Sequence, residues 1–301
     1  MVRRLFVRRF SAIVRATALE ICSEPLALLL TLSAMALAFL APSLHYHQFG
    51  DPKRMAMESG LSAQLILGFA YVVFCTVRAF RREIESGTLQ MALAHSVSRG
   101  MFFSAKLLGA FLSYLVFAAT VFPLTVTVTR GAAIGEIVAR ETNDIPMLFG
   151  PSAALATAAI LAPLAVAALL NYGGRFRFTL TATALLALAA NLVQFVFFDG
   201  GLYARMLPLA LLIACPAVVV LAAAAACAVK WRANVATAVA GTLCALMLPV
   251  FGNYYLPGAL ARGGSLPVSY LLLAGAVSVP LALAFALAGA LLFESREVAG
   301  E

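Results

Sequence analysis

Apolar runs of about 20 residues recur along the chain and are separated by short polar connectors. A run of that length crosses the hydrocarbon core of a bilayer as an α-helix, since each residue adds about 1.5 Å. The pattern predicts eight spans, at residues 25–44, 61–80, 106–129, 151–172, 178–198, 206–229, 233–252 and 267–293. The expected fold is therefore an all-α, polytopic bundle of transmembrane helices.

The segment ahead of the first span has the pattern of an amphipathic helix. Its apolar face carries Val2, Leu5, Phe6, Phe10, Ile13, Val14 and Thr17, and the opposite face carries Arg4, Arg8 and Arg15. Such a helix is typical of the headgroup layer; a frayed basic tail is the alternative. The apolar run at 25–44 is too long for the core of a signal peptide. We therefore expect an interfacial helix at 1–24 and a transmembrane domain at 25–301.

Basic residues divide unequally between alternate connectors. With the N-terminus inside, the inner connectors hold 15 Lys and Arg residues and the outer connectors hold 6. Positive charge concentrates on the cytoplasmic side of membrane proteins. The sequence therefore predicts a multi-pass protein of a bacterial inner or plasma membrane, with both termini and the connector at 81–106 in the cytoplasm.

Composition supports a membrane protein and excludes several other classes. Apolar residues make up 63% of the chain and charged residues only 11%, against about a quarter in soluble domains. The net charge of +8 is then explained by topology and by contact with the lipid bilayer, so we expect no nucleic-acid partner. The five cysteines form no CxxC motif. His45 and His47 are two possible ligands where a metal site needs three or four, so no metal site is predicted.

The cytoplasmic connector at 81–106 is more structured than a simple link requires. Glu83 and Glu85 precede a Gly-Thr pair and a short apolar helix. Gly87 permits a tight turn or a close approach, and Thr88 is a suitable helix cap. Leu89 and Leu93 lie four apart, on one helical face. These features suggest a helix from Glu83 to Leu93 that docks onto a cytoplasmic partner, in which Glu85 pairs with a basic residue of the partner or of the N-terminal helix.

The same connector resembles the loop between the second and third spans of ATP-binding-cassette (ABC) type-2 permeases, including those linked to maturation of multicopper enzymes. The resemblance covers residues 1–130 and rests on Glu83-Ile84-Glu85-Ser86-Gly87-Thr88-Leu89, Val97-Ser98-Arg99 and Lys106-Leu107-Leu108. The family often has Pro shortly after the Leu, where this chain has His95 and Ser96.

The resemblance implies the membrane subunit of an exporter that forms a homodimer with ABC ATPase subunits. Six spans, which the family more usually has, are then the alternative to eight. The residues expected to couple the chain to the ATPase are Glu83, Glu85, Gly87, Thr88, Leu89, Leu93, Ser98, Arg99 and Lys106.

The chain carries no ATP site of its own. A phosphate-binding loop needs GxxxxGK[ST], and none of the three lysines follows a glycine. We therefore expect no catalytic residues and no cofactor in this chain, with ATP and Mg²⁺ bound by the partner, and no enzymatic activity of its own.

Two alternatives stay open. One is an ATP-independent secondary transporter or a membrane-anchored assembly subunit. The predicted spans carry no ionisable residue away from their ends, whereas coupled transporters usually need such residues at membrane depth. The other concerns Asn191 and Gln194, which share a face of the fifth predicted span. They are candidates for a translocation pathway or for hydrogen bonds between helices.

Overall fold

The computed structural model describes residues 2–44, 52–86, 98–142, 200–252 and 266–295. Within these ranges every regular element is a helix, and no strand is present, so the all-α prediction is confirmed. The helices are α1 (Val2–Cys22), α2 (Pro25–Leu44), α3 (Pro52–Glu85), α4 (Arg99–Thr142), α5 (Gly200–Lys230), α6 (Ala233–Gly252) and α7 (Val268–Ser295).

Four of these helices are long and apolar enough to cross a membrane. They are Ala56–Glu85 in α3, Arg99–Arg130 in α4, Arg205–Lys230 in α5 and Val268–Ser295 in α7. Helices α1 and α2, which meet at an angle of 62°, form a fifth if the bent pair counts as one span, and α6 contributes a shorter apolar helix. The eight predicted spans exceed this number, and two of them, 151–172 and 178–198, lie outside the described residues.

Helix α3 lies at the centre of the described bundle, where it contacts α1, α2, α4, α5 and α6. The apolar part of α5 is the most enclosed, with 78% of its residues buried inside the protein. Helix α7 is peripheral, with only 11% buried, and it packs on α5 and, less extensively, on α4. The burial therefore falls from a central α3–α5 core to a single outer helix.

Small residues allow close contacts between helices. A Cβ at Gly289 of α7 would lie 3.2 Å from the Cα of Ala226 in α5 and 2.6 Å from the ring of Phe103. A Cβ at Gly109 of α4 would lie 2.7 Å from Thr17 Cβ and 2.8 Å from the carbonyl oxygen of Val14 in α1. Such contacts are the usual basis of helix association in membranes, where dispersion depends on close backbone approach.

The N-terminal helix forms as expected, but its apolar face has two different environments. Phe6 is half exposed, whereas Val14, Thr17 and Ile21 are buried. The second half of α1 packs on α4 around Gly109, because a face with small residues can approach the backbone closely. The helix ends at Cys22, and the chain turns at Ser23 and Glu24 before Pro25 begins α2, a position that proline favours. The bend therefore falls at the predicted boundary.

Candidate functional site

The predicted coupling connector is bounded by two helices that extend into it. Helix α3 continues past residue 80 to Glu85, and α4 begins at Arg99. An unbroken helix from Glu83 to Leu93 does not form, because α3 ends at Glu85 and Ser86 is a bend. The N–H of Ser86 completes the last turn by bonding to the carbonyl of Arg82 at 2.9 Å, and residues 87–93 lie outside the described residues. The glycine that comes next in the sequence is the residue type that most often terminates helices. We call the side of the protein where α3 ends at Glu85 and α4 begins at Arg99 the loop end.

Ser98 and Arg99, both predicted coupling residues, form the start of α4. The hydroxyl oxygen of Ser98 accepts a hydrogen bond from the N–H of Met101 at 3.3 Å, and its carbonyl accepts the first helical bond, from Phe102, at 3.0 Å. Ser98 is therefore an N-cap. The guanidinium of Arg99 donates to the carbonyl oxygen of Glu294 at 2.8 Å, which connects the start of α4 to the end of α7.

Lys106 has a different position from the one the sequence suggested. The prediction placed it at the surface end of a span, but α4 begins seven residues earlier, so Lys106 lies inside the helix and is 1% exposed. Its ammonium donates to the carbonyl oxygen of Ala79 at 2.5 Å and lies 2.8 Å from Glu83 Oε2. The nitrogen also lies 5.3 Å from the ring centre of Phe80 and 5.8 Å from that of Phe102.

Lys106 therefore joins α4 to α3 through the carboxylate of Glu83, the carbonyl of Ala79 and a neighbouring aromatic ring. A buried ammonium is tolerated only when it is paired and hydrogen-bonded, and here α3 supplies an accepting carbonyl at Ala79 and a counter-charge at Glu83. The aromatic rings add a favourable cation–π term. Glu83 and Lys106 are thus direct partners, although they are the two predicted coupling residues furthest apart in the sequence.

Glu85 pairs within its own helix. Its Oε1 accepts hydrogen bonds from Arg81 Nε at 3.1 Å and Nη2 at 2.8 Å. The sequence hypothesis gave Glu85 a partner on α1 or on another protein. Within this chain it pairs with Arg81 and not with α1, because residues four apart share a helix face; the pairing with another protein stays a prediction. The Glu85 side chain is 57% exposed, so it remains accessible from outside.

Four charged residues at the loop end were missed by the sequence argument. Arg78 and Arg82 of α3 face Glu20 in α1 and Glu24 in the turn after it. Arg78 Nε lies 3.4 Å from Glu24 Oε1, and Arg82 Nη1 lies 3.5 Å from Glu20 Oε1. The signal was available, since Glu20 and Glu24 are the only acids in the N-terminal segment and both pairs are spaced by four. The basic residues had been interpreted only as topology signals.

Two open grooves meet at these arginines. The α3–α6 groove has a volume of about 1070 Å³ and lies between the end of α3, the first turn of α2 and the start of α6. Its lining includes Leu26, Phe74, Val77 and Asn234. The α1–α3 groove, of about 600 Å³, is lined by Glu20, Ser23, Glu24 and Pro25 among others. Arg78 and Arg82 line both grooves.

The remaining candidate residues are not among those that the structure describes. Gly87, Thr88, Leu89 and Leu93 lie outside the described ranges, as do Asn191, Gln194 and the two histidines of the HYH pair. Among the residues that the structure does describe, no three or more His, Cys, Asp or Glu side chains gather in a way that could hold a metal ion.

Comparison of the chain with family models, with curated proteins and with solved structures found no match. The function of the chain is therefore inferred from the contacts and charges of the loop end and from the sequence pattern of the connector.

Proposed function

We propose that this chain is the membrane-spanning permease subunit of an exporter powered by a separate ABC-type ATPase. The observation that carries the proposal is the buried Lys106–Glu83 pair, which joins the two helices on either side of the connector. The sequence pattern of the connector supports the same function.

A partner that moves the connector would move α3 and α4 together. The connector leaves α3 at Glu85 and returns to α4 at Arg99. Between these helices, Lys106 binds both Glu83 and the carbonyl of Ala79. Displacing one helix alone would leave a buried ammonium without acceptors, at a cost of several kcal/mol. Force applied at the connector is therefore passed to both spans.

The contact between Arg99 and Glu294 extends this joint to a third helix. Because Arg99 is the first residue of α4 and Glu294 is near the end of α7, a shift of the start of α4 would also reach α7. Glu85 is exposed beside the connector and is suited to contact a partner. In this proposal the subunit has eight spans, forms a homodimer and keeps the loop end in the cytoplasm.

Reconstitution with an ATPase tests the function. The chain would be co-expressed with an ABC ATPase encoded beside its gene and carrying GxxxxGK[ST], and the complex placed in liposomes. We expect ATP hydrolysis that depends on the permease. Glu85→Ala and Gly87→Val should reduce complex formation or coupled hydrolysis and leave folding intact, and Arg205→Ala, an exposed charge at the start of α5, should have no effect.

Two results would contradict the proposal. Unchanged coupling in both connector variants would remove the role given to this segment. A chain that never binds the ATPase, or that moves a solute without it, would favour the assembly subunit or the secondary transporter instead. Independently, a cysteine introduced at position 90 should react with an impermeant reagent only after the cells are permeabilised.

A further inference from the structure

The exposed face of α3 changes from apolar to cationic within one helical step. Ile66 and Phe74 are exposed on this face, and Arg78 and Arg82, whose side chains are 60% and 64% exposed, continue it at four-residue spacing. Four residues advance a helix by about 6 Å. This face therefore matches a phospholipid, since its apolar part suits an acyl chain and the adjacent arginines suit a phosphate.

The α3–α6 groove likewise has an apolar and a polar part. Leu26, Phe74 and Val77 form its apolar part, and Arg78, Arg82 and Asn234 form its polar part. The first turns of α6 line the polar side, and a helix N-terminus adds partial positive charge there. A soluble anion would not need the apolar wall, whereas an acyl chain would fill it.

The arginines retain donors for a phosphate. Their distances to Glu20 and Glu24 are 3.4 to 3.9 Å, longer than the roughly 2.7–2.9 Å of a charge-assisted hydrogen bond. Each guanidinium has five N–H groups, and these contacts satisfy few of them. Bidentate binding of a phosphate is the geometry that guanidinium groups favour.

Glu24 adds a second, independent requirement. Its side chain is 9% exposed and lines the α1–α3 groove, and its Oε2 is buried without a hydrogen-bond partner. An unsatisfied buried carboxylate oxygen is costly, and the group that relieves it best is a cationic N–H donor. Arg78, Arg82 and Glu24 line the same groove, so a ligand that carries both charges would face the two arginines and this carboxylate together.

The charge balance favours a zwitterion over an anion. Three arginines and three glutamates line the two grooves. From this balance, the free arginine donors and the orphan oxygen of Glu24, we propose that the two grooves together bind an aminophospholipid. Arg78 and Arg82 hold its phosphate, Glu24 accepts from its primary ammonium, and its acyl chain lies against Phe74 and Leu26.

The test uses lipids of identical acyl chains that differ in the headgroup. The purified full chain, without any ATPase, would be titrated with phosphatidylethanolamine, phosphatidylcholine and phosphatidylglycerol, and bound lipid would be counted by native mass spectrometry. We expect phosphatidylethanolamine to be retained about tenfold better than phosphatidylcholine, because a quaternary ammonium has no N–H to donate to Glu24. Soluble glycerophosphoethanolamine should not compete, because it lacks the acyl chain.

Variants test which residues bind the ammonium of the headgroup and which bind its phosphate. Glu24→Gln should abolish the preference for phosphatidylethanolamine over phosphatidylcholine, and the double variant Arg78→Gln, Arg82→Gln should lose retention of both lipids. Arg205→Gln is the matched control, since Arg205 is exposed and lines neither groove. A variant that fails to fold leaves the decision to the lipid series on the unmodified chain.

Several outcomes would overturn the proposal. Equal retention of phosphatidylethanolamine and phosphatidylcholine would remove the role of Glu24, and stronger retention of phosphatidylglycerol would indicate a site for anionic lipid. Full competition by glycerophosphoethanolamine would indicate a site for soluble phosphate esters. Because no ATPase takes part, these results are independent of the exporter function.

Discussion

Two groups of charges at the loop end join helices in opposite ways. In the first, Lys106 lies between α3 and α4, is almost fully buried, and meets Glu83 at 2.8 Å. In the second, Arg78 and Arg82 lie between α3 and α1, are largely exposed, and meet Glu20 and Glu24 at 3.4 Å or more. The short buried pair fixes two helices relative to each other, whereas the long exposed pairs leave donors available to a ligand.

The difference arises from where the charges lie on α3. Lys106 of α4 reaches the face of α3 that packs on α4, where water is excluded and a charge needs a fixed partner. Arg78 and Arg82 are on the outward face, where solvent screens their attraction to the glutamates and weakens it. One helix thus serves as a rigid joint on one side and as a binding surface on the other.

The largest expected effect comes from removing the buried cation. Lys106→Ala leaves Glu83 without its partner at the α3–α4 contact, and it should lower the free energy of unfolding by about 3 kcal/mol. Unfolding in SDS, followed by circular dichroism, measures this. Lys230→Ala is the control, because Lys230 is an exposed lysine, and it should change stability by less than about 0.5 kcal/mol. Equal effects would mean that the buried pair contributes no special stability.

A smaller effect on stability is expected from a change at the contact between α1 and α4, beside the exposed pairs of Arg78 and Arg82. Gly109→Val introduces atoms at the contact with Val14 and Thr17, which should displace α1 and cost about 1–3 kcal/mol. Because α1 carries Glu20 and leads directly into the turn that holds Glu24, the variant should also lose its preference for aminophospholipid while the Lys106–Glu83 joint remains. Gly241→Val is the matched control, since nothing lies within 4 Å of a Cβ there. Native lipid selectivity in Gly109→Val would show that α1 does not position the glutamates.

The start of α4 is expected to contribute about 1 kcal/mol. Ser98→Ala removes the N-cap that accepts from Met101 and should lower stability by that amount. Ser104→Ala in the next turn, whose hydroxyl only donates to a carbonyl of its own helix, should have little effect. The same unfolding assay compares them, and a larger loss in Ser104→Ala would contradict the capping role.

The smallest effect is a dependence on pH. Burial raises the pKa of Glu24 above its ordinary value of 4.5, although Arg78 opposes this shift. The folded protein therefore holds the proton at pH values where the unfolded chain has lost it, so stability should fall as pH rises from 4.5 through the folded pKa. In Glu24→Gln this slope should disappear. An unchanged slope in the variant would assign the pH dependence to another group.

The sequence was sufficient for the class of fold but not for the loop end. Long apolar runs predicted the helices, and the opposing faces of the N-terminal segment predicted α1, because both depend on local periodicity. The position of Lys106 depended on where α4 begins, and Ser98 as the cap sets that start seven residues before the apolar run. The partners of Arg78 and Arg82 lie in α1 and in the turn that follows it. The matching four-residue spacing of the two pairs was a signal for this contact, but hydropathy, on which the span prediction rested, does not use it. Hydropathy at 25–44 and 233–252 likewise gave helix bounds but not how each helix packs.

The contact at Gly289 has a consequence for how α7 responds to change. Its outer residues are already leucine and valine, and the lipid of a bilayer would be as apolar as they are, so transfer from water would give no reason for α7 to stay beside α5. Besides the hydrogen bond from Arg99 to the carbonyl oxygen of Glu294, what holds it is steric fit, the absence of a side chain where Ala226 and Phe103 approach. On this helix, a more hydrophobic side chain can therefore weaken the packing. Replacing Gly289 by leucine would make α7 more hydrophobic and at the same time detach it, whereas the same change at Gly275, which faces open space, would leave the helix in place.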